Sequence, residues 1–217
     1  MMQHNGKLLD GVSDEGLLKL ARIEEVEAAR RRWLSLASRV VVADSPNLAR
    51  WVCLRVMTGH EKAVERKLDG ANIEALVPTR KGPELRRRGR IIPAIDLPVL
   101  IGYVLIRCVL SDVAMAGLKT VEHVIGVLGG WQTPMPIGDD FVNRYKDKAL
   151  SGGYDYGRPG IVVRKDQVVK INDGPFAGFS GAVVSCPSGP IGDAVVELDF
   201  MGRITPVLVP LAILCEV

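Results

Sequence analysis

Residues 168–184 read V-V-K-I-N-D-G-P-F-A-G-F-S-G-A-V-V, and no other stretch restricts the fold as much. Two short apolar runs, Val168 to Ile171 and Ala182 to Val184, flank a turn that holds Asp173, Gly174, Pro175, Gly178 and Gly181. Proline lacks the N–H that a helix needs, and glycine loses the most backbone freedom when fixed, so the segment opposes helix formation. Strand-like alternation on both sides of such a break specifies a β-hairpin with an enlarged loop. A second β-unit follows at 194–200, then a turn at Met201, Gly202 and Arg203, a strand at 204–209 and a closing run at 211–214. About five short strands in about 50 residues is the pattern of a small β-barrel. Glycine or proline at 174, 175, 178, 181, 187, 189, 190 and 192, among valine-rich strands, predicts that this part stays β. Phe176 and Phe179 both stand in the loop, so at least one is a candidate contact, while Phe176 fits equally well as a plug of the barrel core.

The chain has 217 residues, enough for one large or two small domains, and its 47% hydrophobic content excludes a disordered polymer. A net charge of +3 names no partner, but the charge is unevenly spread. Residues 165–217 carry 3 basic and 6 acidic side chains, whereas 49–150 carry 16 basic and 11 acidic. An acidic barrel is a poor phosphate binder, while a basic central domain can face DNA or RNA. Cys53, Cys108, Cys186 and Cys215 form no C-x-x-C, and His4, His60 and His123 are equally scattered, so neither a metal, a cofactor nor a disulfide framework is expected. The absence of a long charge-free apolar stretch and of a signal-peptide layout points to a cytoplasmic protein with no membrane partner.

Residues 1–11 are polar and read as loose. Ser13 followed by Asp14 and Glu15 marks a helix start, with acids where the helix dipole favours them. Ile23, Val26, Ala29, Trp33, Leu36 and Ala37 then recur at helical steps, predicting an amphipathic helix of about six turns that either covers the next domain or docks a partner. The central domain opens on a strand at 51–57. Thr58 and Glu61 fit a capping box for a helix beginning at Gly59 and ending at Gly70. Strands at 72–78, 97–109 and 124–128, with helices at 112–119 and around Phe141, Val142, Tyr145 and Leu150, predict a sheet with helices packed on it. Arg80, Lys81, Arg86, Arg87, Arg88 and Arg90 oppose only Glu84 in a stretch broken by Gly82, Pro83 and Gly89. That is a mobile basic loop, either a solvated surface or a track for phosphates. Residues 151–160, with four glycines and one proline, predict a flexible linker that lets the halves reorient independently.

The run 170–181 resembles the KOW motif, and D-G-P-F-A-G-F-S-G with the later F-M-G-R-I-T-P-V resembles the carboxy-terminal domain of NusG-type transcription factors. W-V-C-L-R-V-M-T-G-H-E, N-I-E-A-L-V-P-T, P-V-L-I-G-Y-V-L-I, V-I-G-V-L-G-G and P-M-P-I resemble successive motifs of that family's amino-terminal (NGN) domain, in family order. The resemblance covers 49–217 and leaves the first 48 residues unmatched. It implies an NGN-like α/β sandwich at 49–150 and a five-stranded, SH3-like KOW β-barrel at 165–217, which with the predicted helical extension at 1–48 and linker at 151–164 make an α+β fold. It also implies that Trp51, His60, Leu100, Ile101 and Tyr103 meet the clamp helices of bacterial RNA polymerase. Arg80, Lys81, Arg86, Arg87, Arg88 and Arg90 would then lie towards upstream or non-template DNA. The barrel would recruit a second protein, Rho or a small-subunit ribosomal protein, through Phe176, Phe179 and Arg203. Leu100 and Ile101 stand where the family shows an aromatic and a proline, so the patch stays apolar and loses its ring.

No G-x-x-x-x-G-K-[ST] loop, G-x-S-x-G elbow or H-E-x-x-H pair is present, so no catalytic residue is assigned and an enzyme is not expected. The resemblance thus implies a monomeric factor that promotes processive elongation. The alternative is a ribosome-associated or RNA-binding KOW protein using the basic loop. Within the family, the unmatched helix and altered patch lean towards a specialised paralogue of the RfaH type.

Overall fold

The computed structural model describes residues 13–200 and 202–217; the loose stretch 1–11 and Met201 of the expected turn lie outside the described residues. Helix α1 (Asp14–Ser35) starts as its sequence requires, with the Ser13 hydroxyl accepting from the Gly16 N–H at 3.2 Å. It covers only part of the next domain, its last turn packing on the helix Asp112–Lys119 with Leu34 partly buried against the central core. None of its residues is fully buried, and Leu17, Leu18, Ile23, Val26 and Trp33 remain exposed. Only its carboxy-terminal end is held, where a Cβ on Gly117 would lie 2.6 Å from the Leu34 nitrogen. A short helix α2 (Arg39–Asp44) leads into the central domain.

That domain is built on four antiparallel strands: β1 (Ala49–Val56), β2 (Glu74–Leu76), β7 (Tyr103–Val109) and β8 (Val124–Val127), in the order β2-β7-β1-β8. Alternation sorts the side chains of the two inner strands onto opposite faces. Val52, Leu54, Val104, Ile106 and Cys108 bury against α3 (Glu61–Gly70) and α4 (Asp112–Lys119), meeting Val64, Leu68, Ala114 and Leu118. Trp51, Cys53 and Leu105 point the other way, towards α5 (Asp139–Leu150) and its Val142, Tyr145 and Ala149. Both faces of β1 are therefore covered, which explains its nearly continuous apolar run.

Several expectations are corrected at this level. The capping box does not form: α3 begins at Glu61 after an uncapped His60, and the buried Glu61 carboxylate accepts from the Gly102 N–H at 2.7 Å instead. That bond fixes the turn before β7, so the predicted strand at 97–109 is split. Its first part is β6 (Asp96–Pro98), paired with β3 (Thr79–Lys81). The basic stretch is likewise ordered, since β4 (Leu85–Arg87) and β5 (Arg90–Ile92) pair as a hairpin across Arg88 and Gly89, both at positive φ.

The carboxy-terminal part comprises β9 (Val168–Ile171), β10 (Ser180–Ser185), β11 (Asp193–Phe200), β12 (Arg203–Pro210) and β13 (Leu214–Glu216) in an antiparallel sheet ordered β12-β11-β10-β9-β13. Gly181 is required there, because a Cβ would overlap the Glu197 carbonyl oxygen. Val169, Ile171, Val183, Val196, Leu198 and Val207 form the interior, and this interior is continuous with the α5 face of the central sheet.

Replacing Gly117 with alanine is expected to overpack the α1–α4 contact at a cost of about 1–3 kcal/mol. Limited proteolysis should then cut faster at the end of α1. Gly126→Ala, where nothing lies within 4 Å of the new Cβ, serves as the control and should leave the digestion pattern unchanged.

Candidate functional site

The densest convergence of sequence-assigned residues lies where the D-G-P-F turn of the barrel meets the central sheet. Gly174 adopts φ +80°, and a Cβ on it would lie 3.3 Å from Tyr145 and 3.4 Å from Leu100. A left-handed glycine thus lets the turn backbone rest directly on α5 and on the turn before β7. Phe176 follows, fully buried, with its ring edge-on to Tyr103 at 4.9 Å and an interplanar angle of 84°. That T-shaped geometry suits the quadrupoles of two rings. Phe200 lies 5.4 Å from Phe176 and 5.1 Å from Phe179, extending the aromatic cluster into the barrel.

Polar contacts frame this seam. Arg80 Nη2 donates to Asp193 Oδ2 at 2.7 Å across 113 residues of sequence, with side-chain exposures of only 3% and 18%. Arg80 Nε and Nη1 and Asp193 Oδ1 have no protein partner, so the pair holds orientation at a desolvation cost. Lys148 donates to Asp173 at 2.7 Å beside the same turn. Residues 151–164, expected to be flexible, are packed. Tyr154 is fully buried with its ring 5.5 Å from Tyr145. The Lys81 N–H donates to Asp155 Oδ1 at 2.8 Å, and the Tyr156 N–H to the Lys81 carbonyl at 2.9 Å. A Cβ on Gly160 would overlap the Leu211 carbonyl carbon, so the segment's glycines serve close approach as well as freedom.

The sequence-assigned residues fall into distinct environments. Leu100 is 4% exposed and Trp51 is buried under the seam, where it bridges to Ile137, while Ile101 and Tyr103 are half-buried. Burial pushes the Tyr103 phenol up to about 12. His60 lies apart, its ring stacked on His123 at 3.8 Å. Arg86, Arg87, Arg88 and Arg90 are exposed together on the β4–β5 hairpin, and exposed Lys81 pairs with Asp96 at 2.7 Å. Arg80 does not join them, because its strand turns it inward to Asp193. In the barrel, Phe176 is inside, Phe179 is half-buried and Arg203 is exposed. Sequence reasoning passed over Asp173, Asp193 and Tyr154. Only the D-G-P context marked the first, and nothing local marked the others. Among the described residues no three His, Cys, Asp or Glu side chains gather in a metal-holding group, and no helix is long and apolar enough to cross a membrane.

Residues 49–146 match the NusG family, described as transcription termination factor nusG. The transcription termination/antitermination protein NusG of Escherichia coli (strain K12) is 29% identical over 168 residues, spanning 73% of this chain and 91% of that protein. Its counterpart in Vibrio cholerae is 29% identical, over 73% of this chain and 90% of the relative. A solved structure described as domain interaction in Thermotoga maritima NusG aligns with 78% of this chain and 97% of its own, at 22% identity and a TM-score of 0.39.

Burial raises Tyr103, Tyr145 and Tyr154 above the ordinary tyrosine value, with neighbouring Tyr154 adding to the effect at Tyr145 and the Asp173 carboxylate at Tyr154. The unfolded chain releases these protons near 10 while the folded chain keeps them, so stability should be level below that and fall as pH rises towards 12. Ultraviolet titration of tyrosinate should show delayed ionisation in the native protein. In Asp193→Asn, with the seam loosened, part of that absorbance should return towards the ordinary range.

Proposed function

We propose that this chain is a NusG-type transcription factor that binds RNA polymerase at the clamp helices and promotes processive elongation. The observation that carries the reading is the match of residues 49–146, which coincides with the α/β domain from β1 into α5. Leu100, Ile101 and Tyr103 form the apolar contact, with Trp51 supporting it from beneath and His60, stacked on His123 apart from the patch, contributing at its periphery. The hairpin arginines Arg86, Arg87, Arg88 and Arg90, with Lys81, lie towards upstream or non-template DNA, and neutralise phosphates without reading bases. The barrel recruits a second protein, Rho or a small-subunit ribosomal protein, through Phe179 and Arg203. The protein works as a cytoplasmic monomer and has no catalytic role.

Closure of the seam adds a condition. Leu100 is buried and Tyr103 is in contact with Phe176, so the barrel and the polymerase compete for one patch. Binding requires the barrel to leave, and that exposes Phe176 and returns Arg80 to solvent beside the basic hairpin. The alternative, an RNA-binding KOW protein, draws on the same exposed hairpin and differs in needing no polymerase.

Co-elution with RNA polymerase core should depend on the clamp-helix tip, with enzyme lacking the tip showing no complex. Asp193→Asn leaves Arg80 without its counter-ion, and removing one partner of a buried pair costs about 3–5 kcal/mol, so the variant should open and bind polymerase at least about tenfold tighter. Equal binding by both variants, or binding that ignores the tip, would overturn this account. Neutralising Arg86, Arg87 and Arg88 should reduce the salt slope of nucleic-acid binding by up to about 2–3, while polymerase binding survives. Tight RNA binding without polymerase would favour the alternative.

A further inference from the structure

We propose that the groove between β8 and the facing ends of β11 and β12 binds one nucleotide, a nucleoside triphosphate, and that the bound nucleotide clamps the two domains together. The groove is about 420 Å³ and takes its walls from both domains. Ligand sites run from about 300 to 1,000 Å³, so a single nucleotide fits and a folded partner does not. Arg55 from β1 and Arg203 from β12 line it, both exposed. Among the described residues neither arginine has a carboxylate within ion-pairing distance, which sets them apart from Arg80. The nearest acid of the turn, Asp199, is engaged by the Gly202 N–H at 2.7 Å and does not line the groove. Two guanidinium groups facing one cleft without a counter-ion attract an anion, and their planar forks match phosphate oxygens.

The remaining walls select what accompanies the phosphate. Trp131, Tyr103 and Phe200 supply flat aromatic surface. Gly126 and Gly130 present bare backbone, with nothing within 4 Å of the position a Cβ would take, so a planar ring can approach closely. Base stacking on such side chains tolerates any base, so the site distinguishes nucleotide from bare phosphate more than one base from another. Because Arg55 and Trp131 belong to the central domain and Arg203 and Phe200 to the barrel, an occupant is held only while the seam is closed. It therefore shifts the population towards the closed form.

The test is titration of the full-length protein, without polymerase, with GTP, ATP, pyrophosphate and a twelve-residue oligothymidylate, read by calorimetry and by tryptophan fluorescence. Both triphosphates should bind, quench the fluorescence and raise the melting temperature; Trp131→Phe should lose most of the quench and keep the binding heat. Arg55→Ala and Arg203→Ala should each weaken binding about tenfold, the loss of one charge-assisted contact, whereas Arg164→Ala, which lines a different groove, should not. Asp193→Asn should weaken binding too, since it separates the two halves of the groove. The proposal is overturned if triphosphates do not bind at millimolar concentration, if pyrophosphate binds equally well, if only the oligonucleotide binds, or if neither arginine matters. Both arginines are exposed, so the variants fold, and circular dichroism checks this. As no polymerase is present, failure here leaves the polymerase reading standing, and failure of that reading leaves this one testable.

Discussion

The arrangement of the two domains depends on the close approach of the Gly174 backbone to Tyr145 and Leu100. A side chain at position 174 would need left-handed backbone strain and would press the Tyr145 ring back by a few tenths of an ångström. With glycine there, Phe176 reaches Tyr103 and the barrel interior merges with the lower face of the central sheet. Burying Leu, Tyr and Phe side chains is worth roughly 1.5–3 kcal/mol each, so a seam of a few such residues is strong enough to hold and weak enough to exchange. The Arg80–Asp193 pair adds direction more than strength, since each ion gives up water for a single bond between them.

On the proposed reading one patch has two claimants: Tyr103 and Leu100 face the barrel here, and would have to leave it to meet an external apolar helix tip. Whatever favours one occupant disfavours the other by the same free energy. The segment 151–164 fits a two-state part, because its glycines permit reorientation while Tyr154, Asp155 and Tyr156 make specific bonds in the closed arrangement. In the proposed open form Arg80 would change surroundings most, from its inward ion pair to the base of the hairpin carrying Arg86, Arg87, Arg88 and Arg90.

Local chemistry made much of this visible in the sequence. Ser13 capped its helix, 112–119 formed α4, and the D-G-P-F run gave the turn between β9 and β10. What the chain concealed was decided by distant partners. Glu61 stood in capping-box spacing yet was claimed by Gly102, 41 residues on, because that amide is buried and has no strand partner to meet. Arg80 read as one of six like charges, but its place on β3 turned it inward, and Asp193 carried no local mark of an ionic partner. The helical spacing of Ile23, Val26 and Trp33 marked the helix but not how little of it is covered: only the end near Leu34 packs on the central domain, because periodicity tells which face is apolar and says nothing about what lies against it.

The departure from the family pattern at Leu100 and Ile101 acquires a physical meaning in this setting. Leu100 Cδ1 lies 3.4 Å from the position a Cβ would take on Gly174, so the leucine supports the turn, beside a small cavity that Leu76, Tyr145 and Pro175 also line. Leucine is branched and compact enough to sit beneath the turn, and Ile101, half-buried beside it, keeps the patch apolar without the fixed φ of a proline next to Gly102. Gly102 needs that latitude: it holds φ +85° while its N–H donates to Glu61. On the proposed reading, Leu100 and Ile101 keep the polymerase-facing patch apolar while Leu100 also lies beneath the barrel's turn.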